Sequence, residues 1–298
     1  MLKRITLENF FSFGEPTTIE LNPGVNLLVG INGSGKSNFL KAIRLLHEAV
    51  VGKGFEKTFL QEWGGFGNVA NVSGGTKDYI KLEFVFDAYL LYENYLVDVE
   101  AKRWFEGKET KYRITINRAG NTGYYFEEYL ALEKRGEDNL EYINVRNNEG
   151  VLRLLIDREN PKSTSVLVNY PSIELPYQFL KSELILRGVS RNSNFIGGIK
   201  IFIEKLLIYD YFNTASNSII RQPSIFGTEE KLLPTGENLN SIIQKLKNNH
   251  SLDYEKIEDL LKDINPNFKD ITFNLFGSKS YLLLREKNLA NAIPIEHL

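Results

Sequence analysis

"GINGSGKS", residues 30–37, decides the fold, because it fits the phosphate-binding loop pattern Gly-x4-Gly-Lys-Ser. A short apolar run, "GVNLLVG" at 24–30, precedes it and is typical of a strand buried on both faces of a sheet. The apolar residues that follow recur at helical spacing: Phe39, Ile43, Leu46 and Val50. A strand, a glycine-rich turn and a helix in this order form the context in which such a loop binds phosphates.

The residue types of the loop suit a nucleoside triphosphate and a magnesium ion. Glycines let successive backbone N–H groups turn toward an anion, and the helix that begins at the loop adds its positive N-terminal dipole. Lys36 would supply a mobile positive charge for the β- and γ-phosphates, and the Ser37 hydroxyl would be a ligand for Mg²⁺. The sequence therefore predicts an ATP·Mg²⁺ site at residues 30–37.

Composition and charge are those of a globular protein. The 298 residues are 42% hydrophobic, which is ample for a packed core. The formal charge of −2 gives no overall attraction to nucleic acid or to an anionic membrane, so any basic surface has to be local. The lack of cysteine excludes disulfides and cysteine-ligated zinc. With no signal-peptide pattern and no membrane-length apolar run, we expect a cytoplasmic protein that has no membrane partner.

Changes of hydrophobic period divide the chain into four segments, with an α/β fold class expected for the whole. A strand pair at Leu2–Glu8 and Thr17–Leu21 opens it, and period-two alternation from Tyr79 predicts an antiparallel meander. The four predicted segments are a P-loop core with N-terminal strands at 1–78, an antiparallel β subdomain at 79–157, a helical insertion at 158–250, and a helix with a returning hairpin at 251–298.

The opening of the chain, "LKRITLENFFSFGEPTTIELNPGVNLLVGINGSGKSNFLKAI", resembles the ABC-type ATPase heads of the SMC, RecF and OLD-like group. That group begins in a similar order: a strand, "NF-S-F", a second strand, then "G-N-L-G-NGSGKSN-L-AI". Later stretches, "LLPTGENLNSIIQKLK", "IEDLLKDINPNF" and "IPIEHL", are similar to its predicted AAA-family branch, many members of which sit in defence or DNA-maintenance loci. The resemblance implies a P-loop NTPase fold, ATP and Mg²⁺ as ligands, and a dimer or higher oligomer that holds ATP between protomers.

The resemblance also implies roles for single residues. Asn9, Phe10 and Ser12 would lie near the base and the phosphates. Gln61, in "FLQEWGGFGN", would sense Mg²⁺ and the attacking water, or else is a polar residue at a helix end. The chain departs from the group at Phe11, where related heads often carry a basic residue. The residues expected at the nucleotide and the Mg²⁺ ion are Ser12, Gly30, Asn32, Gly33, Ser34, Gly35, Lys36, Ser37 and Asn38.

Hydrolysis in such heads needs a signature segment from the second protomer and an acidic pair after a buried strand. In the resembling branch the signature would follow "IPIEHL", where this chain reaches Leu298, so the C-terminal part of the head is expected to lie outside it. "VSGGT" (72–76) imitates the signature, but an alternating strand follows it. "RLLIDRE" (153–159) imitates the acidic motif around Asp157, but Arg158 replaces the second acid. No catalytic residue is therefore assigned.

Other polar clusters give no clear site. The three histidines, His47, His250 and His297, are scattered and have no partner at metal-ligand spacing. The basic residues of "KSELILRGVSRNSN" could share one helix face and contact DNA or a partner, or they form a solvated face. These basic residues are Lys181, Arg187 and Arg191.

Two functions remain open from the sequence. The chain is either the ATP·Mg²⁺-binding portion of an ABC-type ATPase that works in DNA maintenance or anti-phage defence, or a nucleotide-gated scaffold. In the first case, hydrolysis needs a C-terminal segment and dimerisation. In the second, the chain binds DNA or a partner effector without appreciable turnover. A signature segment and an Asp-Glu pair downstream of Leu298 would favour the ATPase.

Overall fold

A computed structural model describes most of the chain and divides it into two compact units, Met1–Leu206 and Leu207–Leu298. The described residues are 1–73, 75, 77–92, 103–120, 123–134, 136–146, 149–155, 165–170, 182–190, 194–209, 211–225 and 227–297. Among them, no helix is both long enough and apolar enough to cross a membrane.

Unit 1 is built on an antiparallel sheet of eight strands in the order β2-β1-β3-β4-β5-β6-β7-β8. Its strands are β1 (Leu2–Glu8), β2 (Thr17–Glu20), β3 (Tyr79–Asp87), β4 (Glu109–Ala119), β5 (Gly123–Glu133), β6 (Leu140–Arg146), β7 (Glu149–Leu155) and β8 (Ser165–Tyr170). The period-two alternation explains the sheet, because it turns every second side chain to one face. Ile80, Leu82, Phe84 and Phe86 of β3 are all fully buried on that face. The predicted opening strands and meander are confirmed.

Helices cover the buried face of this sheet. The first, α1 (Lys36–Val50), begins at the glycine loop and buries Phe39, Leu46 and Val50 of its predicted stripe. Short helical segments follow: a π-helix at Lys57–Glu62, α2 (Phe66–Val69), α3 (Ala88–Tyr92) and α4 (Ile185–Gly188). The last helix of the unit, α5 (Asn194–Glu204), buries Ile196, Ile199 and Ile203. These helices and the sheet share one hydrophobic core.

Unit 2 is a smaller sheet covered by two helices. Its elements are β9 (Ser224–Ile225), α6 (Leu239–Asn249), α7 (Ser251–Ile264), β10 (Phe268–Phe276), β11 (Lys279–Glu286) and β12 (Ile293–Pro294), with 3₁₀ turns at Ile219–Arg221 and Ile295–His297. Strands β10 and β11 form the hairpin predicted within residues 251–298, and its turn lies at Gly277–Ser278. Glu258 of α7 accepts hydrogen bonds from the Tyr254 hydroxyl (2.8 Å) and from the backbone N–H of Ile271 in β10 (3.2 Å), which fixes α7 against the sheet.

The structure differs from the four predicted segments. Strands β1 and β3 are hydrogen-bonded to each other. The boundary predicted between residues 78 and 79 therefore falls within one sheet and does not separate two subdomains. Segment 158–250 is not one helical insertion. It contributes β8, α4 and α5 to unit 1 and α6 to unit 2. The described part of 205–238 holds only a 3₁₀ turn and β9.

The predicted strand at 24–30 is wrong for this chain as it stands. No strand in the described part of the chain pairs with these residues. Val25, Leu27 and Val29 are 92%, 83% and 84% exposed, although the apolar run indicated burial on both faces. The apolar pattern is therefore present without the neighbouring strands that would bury it.

Helix α5 lies so close to α3 that only glycine fits at Gly198. A Cβ atom there would lie 2.5 Å from Cε1 and 2.8 Å from Cδ1 of the Tyr92 ring. We therefore expect Gly198→Ala to destabilise unit 1 by about 1–2 kcal/mol, because a contact this short places the overpacking cost in the upper part of its range, at about 2–3 kcal/mol, and the helix-propensity gain is about 1 kcal/mol. Urea unfolding measures the difference.

Gly67→Ala is the matched control, because Gly67 also lies in a helix but has open space where its Cβ would be. It should leave stability unchanged or raise it slightly. Equal stability of Gly198→Ala and the wild type would contradict the close packing of α5 on α3.

Candidate functional site

The glycine loop approaches a neighbouring turn too closely for a side chain. Gly33 and Gly35 both have positive φ, at 87° and 97°. A Cβ on Gly35 would lie 2.7 Å from the Ser12 hydroxyl oxygen and 3.2 Å from the Phe13 ring. Both the backbone conformation and the space therefore require glycine at position 35. This contact fixes where the loop enters α1.

The Lys36 ammonium lies within the loop. Its Nζ donates hydrogen bonds to the carbonyl oxygens of Gly30 (2.6 Å) and Ile31 (2.7 Å), and lies 3.4 Å from the Ser34 hydroxyl. None of these three groups carries a formal charge, so a negatively charged phosphate oxygen would be a stronger acceptor for the same ammonium. Residues Gly30 to Ser34 are exposed, as is Ser37, whereas Gly35 is buried and Lys36 is half-buried. The loop can therefore be reached from solvent.

The turn after β1 brings Ser12 to this loop. The Asn38 side-chain amide donates a hydrogen bond to the Ser12 hydroxyl at 3.1 Å, and Ser12 is exposed. Both residues are among those predicted at the nucleotide. The turn is held in an unusual conformation, since Asn9 and Phe11 have positive φ values of 53° and 48°. Non-glycine residues in this region are uncommon and often mark functional sites.

Asn9 and Phe10 hold this turn in place. Both are buried, at 1% and 0% exposure. The Asn9 amide donates to the carbonyl oxygens of Lys77 (3.2 Å) and Tyr79, which ties the turn to the start of β3. The fold thus uses both side chains for anchoring, and the expectation that these residues lie near the base and the phosphates stays a prediction.

A lysine from α1 lies at the position where the chain departs from the resembling group. The Lys41 ammonium is 4.0 Å from the centre of the Phe11 ring, a cation–π contact. Trp63 meets the same Phe11 ring edge-on, with the ring centres 5.6 Å apart. Phe11 thus carries no positive charge itself, but the charged Lys41 ammonium lies against its ring. Sequence reasoning missed this contact, because no local pattern links residues 11 and 41.

The other predicted residues fall outside this group. Gln61 is exposed in the π-helix after α1, and no described contact joins it to the loop. Asp157, Lys181 and Arg191 lie outside the described residues. Strand β3 begins at Tyr79, so a strand and not a helix follows residues 72–76, as the sequence predicts. Within the described ranges, no group of three or more His, Asp or Glu residues could hold a metal ion.

A buried carboxylate behind α1 is a further feature that the sequence analysis missed. Glu128 of β5 is 1% exposed and accepts hydrogen bonds from the Tyr112 hydroxyl (2.8 Å) and from the backbone N–H groups of Ile185 (2.6 Å) and Leu186 (2.9 Å). Burial raises its pKa from the ordinary 4.5 to about 7, although these hydrogen bonds oppose the change. Glu128 lies between Phe126 and Leu130 in the period-two alternation of β5, and this position alone could have predicted that its side chain faces the core.

Comparisons with known proteins found a matching family model and several similar proteins. A family model described as an AAA domain matches residues 4–275. Over 273 aligned residues, the chain is 26% identical to the DNA double-strand break repair Rad50 ATPase of Methanococcus maripaludis, an alignment that covers 83% of this chain and 26% of that protein. Over 42 residues it is 52% identical to the chromosome partition protein Smc of Mycolicibacterium paratuberculosis, covering 14% of this chain and 4% of that protein.

The chain thus spans only about a quarter of the Rad50 relative and a few per cent of the Smc relative. A chain from structural work on ATP-driven dimerization and DNA-stimulated activation of SMC ATPases is also similar, with 18% identity and a TM-score of 0.30. That likeness covers 45% of this chain and 70% of the other, and is too distant to support an argument. The family match and the Rad50 alignment confirm the predicted resemblance and, with it, the α/β class.

The Glu128 carboxyl predicts a pH-dependent stability. Because its folded pKa lies above its unfolded value, its contribution is fully present below pH 4.5 and is lost as the pH rises through about 7. At 1.36 kcal/mol for each pH unit between 4.5 and about 7, the unfolding free energy should fall by about 3 kcal/mol across this window. Urea unfolding of the wild type and Glu128→Gln at pH 5 to 8 measures it.

Glu128→Gln cannot ionise, so its stability should change less over this pH range than that of the wild type. Glu141→Gln, on the same sheet but half-buried, is the control and should keep the wild-type slope. Identical slopes for all three proteins would show that Glu128 stays ionised in the folded state throughout.

The exposed segment 25–29 predicts self-association of the chain in isolation. Apolar side chains on an unpaired extended backbone attract other extended chains and bind apolar dyes. We expect Leu27→Thr with Val29→Thr to reduce self-association by sedimentation and to lower ANS fluorescence, since threonine keeps the extended preference but is polar. Val72 lies outside this segment and is 73% exposed, so Val72→Thr is the control and should change neither self-association nor ANS fluorescence. Unchanged dye binding in the double variant would mean that the segment is covered.

Proposed function

The chain belongs to the AAA domain family, and on that premise we propose that it is the ATP·Mg²⁺-binding portion of an ABC-type ATPase similar to SMC and Rad50. One observation carries the proposal: the loop 30–37 leads directly into α1 with Gly33 and Gly35 in conformations that only glycine adopts easily. Such a loop presents backbone N–H groups and a helix N-terminus to an anion, and these are the groups that hold a triphosphate.

The residues of the loop suit ATP in distinct ways. The Lys36 ammonium would exchange the carbonyls of Gly30 and Ile31 for the β- and γ-phosphates, which are stronger acceptors. The exposed Ser37 hydroxyl at the start of α1 would be a ligand for Mg²⁺. Magnesium, when bound, would neutralise phosphate charge. Ser12 and Asn38 form a polar wall beside Gly35.

Turnover would need more than these residues supply. The exposed apolar segment 25–29 has the pattern of a strand that other strands should flank, and we propose that a C-terminal segment of the same head pairs with it. Such a segment would bring the acidic pair that hydrolysis needs close to the loop. A second protomer would close the site from the outside, so that the working form is a dimer or a higher oligomer.

The cellular role is proposed from the relatives alone. The Smc relative is a chromosome partition protein and the Rad50 relative is a DNA double-strand break repair ATPase, which supports a role in DNA maintenance and DNA as a partner. Anti-phage defence, with a partner effector protein, fits the resembling branch. For either role we expect a cytoplasmic location.

Nucleotide binding can be tested on the chain as it is. ATP·Mg²⁺ at a hundred times its Kd should raise the unfolding free energy by about 2.7 kcal/mol. Lys36→Ala should abolish this gain and leave the unliganded protein nearly as stable, because Lys36 is bound only to its own loop. Thermal unfolding under three conditions measures the effect: with ATP·Mg²⁺, with ATP and EDTA, and without a ligand.

Lys269→Ala is the control, because it removes an exposed lysine from the other unit and should keep the full ATP response. Ser37→Ala should lose most of the difference between ATP·Mg²⁺ and ATP with EDTA. A response that persists in Lys36→Ala would place the nucleotide elsewhere and overturn the proposed site.

A further inference from the structure

The C-terminal end of α1 is closed by a residue that lies far away in the sequence. Arg187 Nη1 donates hydrogen bonds to the carbonyl oxygens of Glu48 (3.4 Å) and Ala49 (3.2 Å), and its Nη2 donates to the Gly52 carbonyl (3.1 Å). The last carbonyls of a helix have no partner inside the helix, and a cation there also faces the negative end of the helix dipole. Arg187 therefore caps α1 at the end opposite to the glycine loop.

The backbone around Arg187 is itself fixed from two sides. On one side, the Glu128 carboxylate of β5 accepts the N–H groups of Ile185 and Leu186. On the other side, the Lys200 ammonium of α5 donates to the carbonyl oxygens of Arg187 (2.5 Å) and Val189 (2.9 Å). Because this backbone is held on both sides, the Arg187 guanidinium has a fixed position. Through its hydrogen bonds, α1 is connected to both the sheet and α5.

The chain beyond α1 is held by the same segment. Glu183 accepts the N–H of Phe55 at 3.3 Å and lies 3.9 Å from Arg187 Nε. A Cβ on Gly54 would lie 2.8 Å from the Glu183 carboxylate, which shows how closely the two segments approach. Arg187 and Glu183 thus hold the end of α1 and its exit together.

The far end of α1 matters to the loop because the described contacts at the near end come from one turn, where Ser12 and Phe13 approach Gly35 and the Ser12 hydroxyl accepts a hydrogen bond from Asn38. Residues 25–29 are unpaired and Gly30 to Ser34 are exposed, so the loop itself adds little to the orientation of the helix. A helix of 15 residues is about 22 Å long, and a small tilt at one end displaces the amides at the other. Hydrogen bonds from these amides to an anion weaken steeply as their angles depart from linear.

We propose that Arg187 is a positioning residue for the nucleotide site: it holds the C-terminal end of α1 so that the N-terminal amides stay aimed at the phosphates. The inference rests on the proposed ATP binding. Direct attraction between Arg187 and a phosphate is negligible, because about 22 Å far exceeds the screening length of about 8 Å at physiological salt. Its effect passes through the orientation of the helix.

The test is a titration with a fluorescent ATP analogue and Mg²⁺ well below the unfolding temperature. Arg187→Gln should raise the Kd about tenfold, and Arg187→Lys should raise it less, since a single ammonium can still reach a carbonyl. Arg113→Gln is the matched control. Arg113 is a half-exposed arginine of β4 whose guanidinium lies 3.8 Å from Glu83, so the charge change is the same, and the Kd should stay within about twofold.

Chemical rescue separates positioning from a general loss of structure. Arg187 is partly exposed, so free guanidinium should be able to enter its place in Arg187→Ala. At concentrations far below those that unfold the protein, guanidinium chloride should recover most of the lost affinity, whereas an equal concentration of sodium chloride should not. Lys36→Ala should show no recovery, because its defect lies in the loop itself.

The outcomes distinguish this inference from the function on which it rests. A wild type that does not bind the analogue overturns the proposed ATP binding and this inference with it. A wild type that binds, with an unchanged Kd in Arg187→Gln, overturns this inference alone, even if that variant melts at a lower temperature. Reduced affinity in Arg187→Ala without recovery by guanidinium also overturns it. If Arg187→Gln fails to fold, Arg187→Lys and the rescue decide.

Discussion

The close contact between the turn after β1 and the start of α1 is the constraint on which the proposed site depends. At Gly35 the Ser12 hydroxyl and the Phe13 ring occupy the space that any side chain would need. The turn can stay there because the buried Asn9 amide binds two carbonyls at the start of β3 and because Val69 accepts the N–H of Phe11 at 2.6 Å. The anion-binding amides are thus placed by the sheet as well as by the loop.

The sheet holds the other end of α1 by a different device. Glu128 stands in a core-facing position where an apolar residue would pack, and its buried oxygens accept three hydrogen bonds. A buried carboxyl is costly unless such bonds are made, so this one specifies where residues 185–186 can lie. Arg187 then extends the same anchor to the carbonyl end of α1. Contacts that are anchored on the same sheet therefore hold both ends of α1.

The segment 25–29 shows how one pattern can have two meanings. Its apolar residues indicate a buried strand, yet in this structure they face solvent, because burial depends on what lies beside a strand and not on the strand's own residues. The same pattern is the strongest sign that the site is completed by other strands. Among the residues that the structure describes, the segment lacks the neighbouring strands that would bury it. In the proposed function, the strand that pairs with it belongs to the segment that would bring the acidic pair for ATP hydrolysis.

The sequence by itself determined the elements whose signals are local: the opening strands, the meander from Tyr79, α1, α7 and the final hairpin, and it identified the glycine loop and the family resemblance. Hydrophobic periodicity and glycine spacing need no distant partner to be visible. Only the tertiary structure decided that Asn9 and Phe10 are anchors, that Lys41 covers Phe11, and that Glu128 and Arg187 hold α1. These roles come from contacts between residues 30 to 140 positions apart, and no period or motif in one stretch records such a contact.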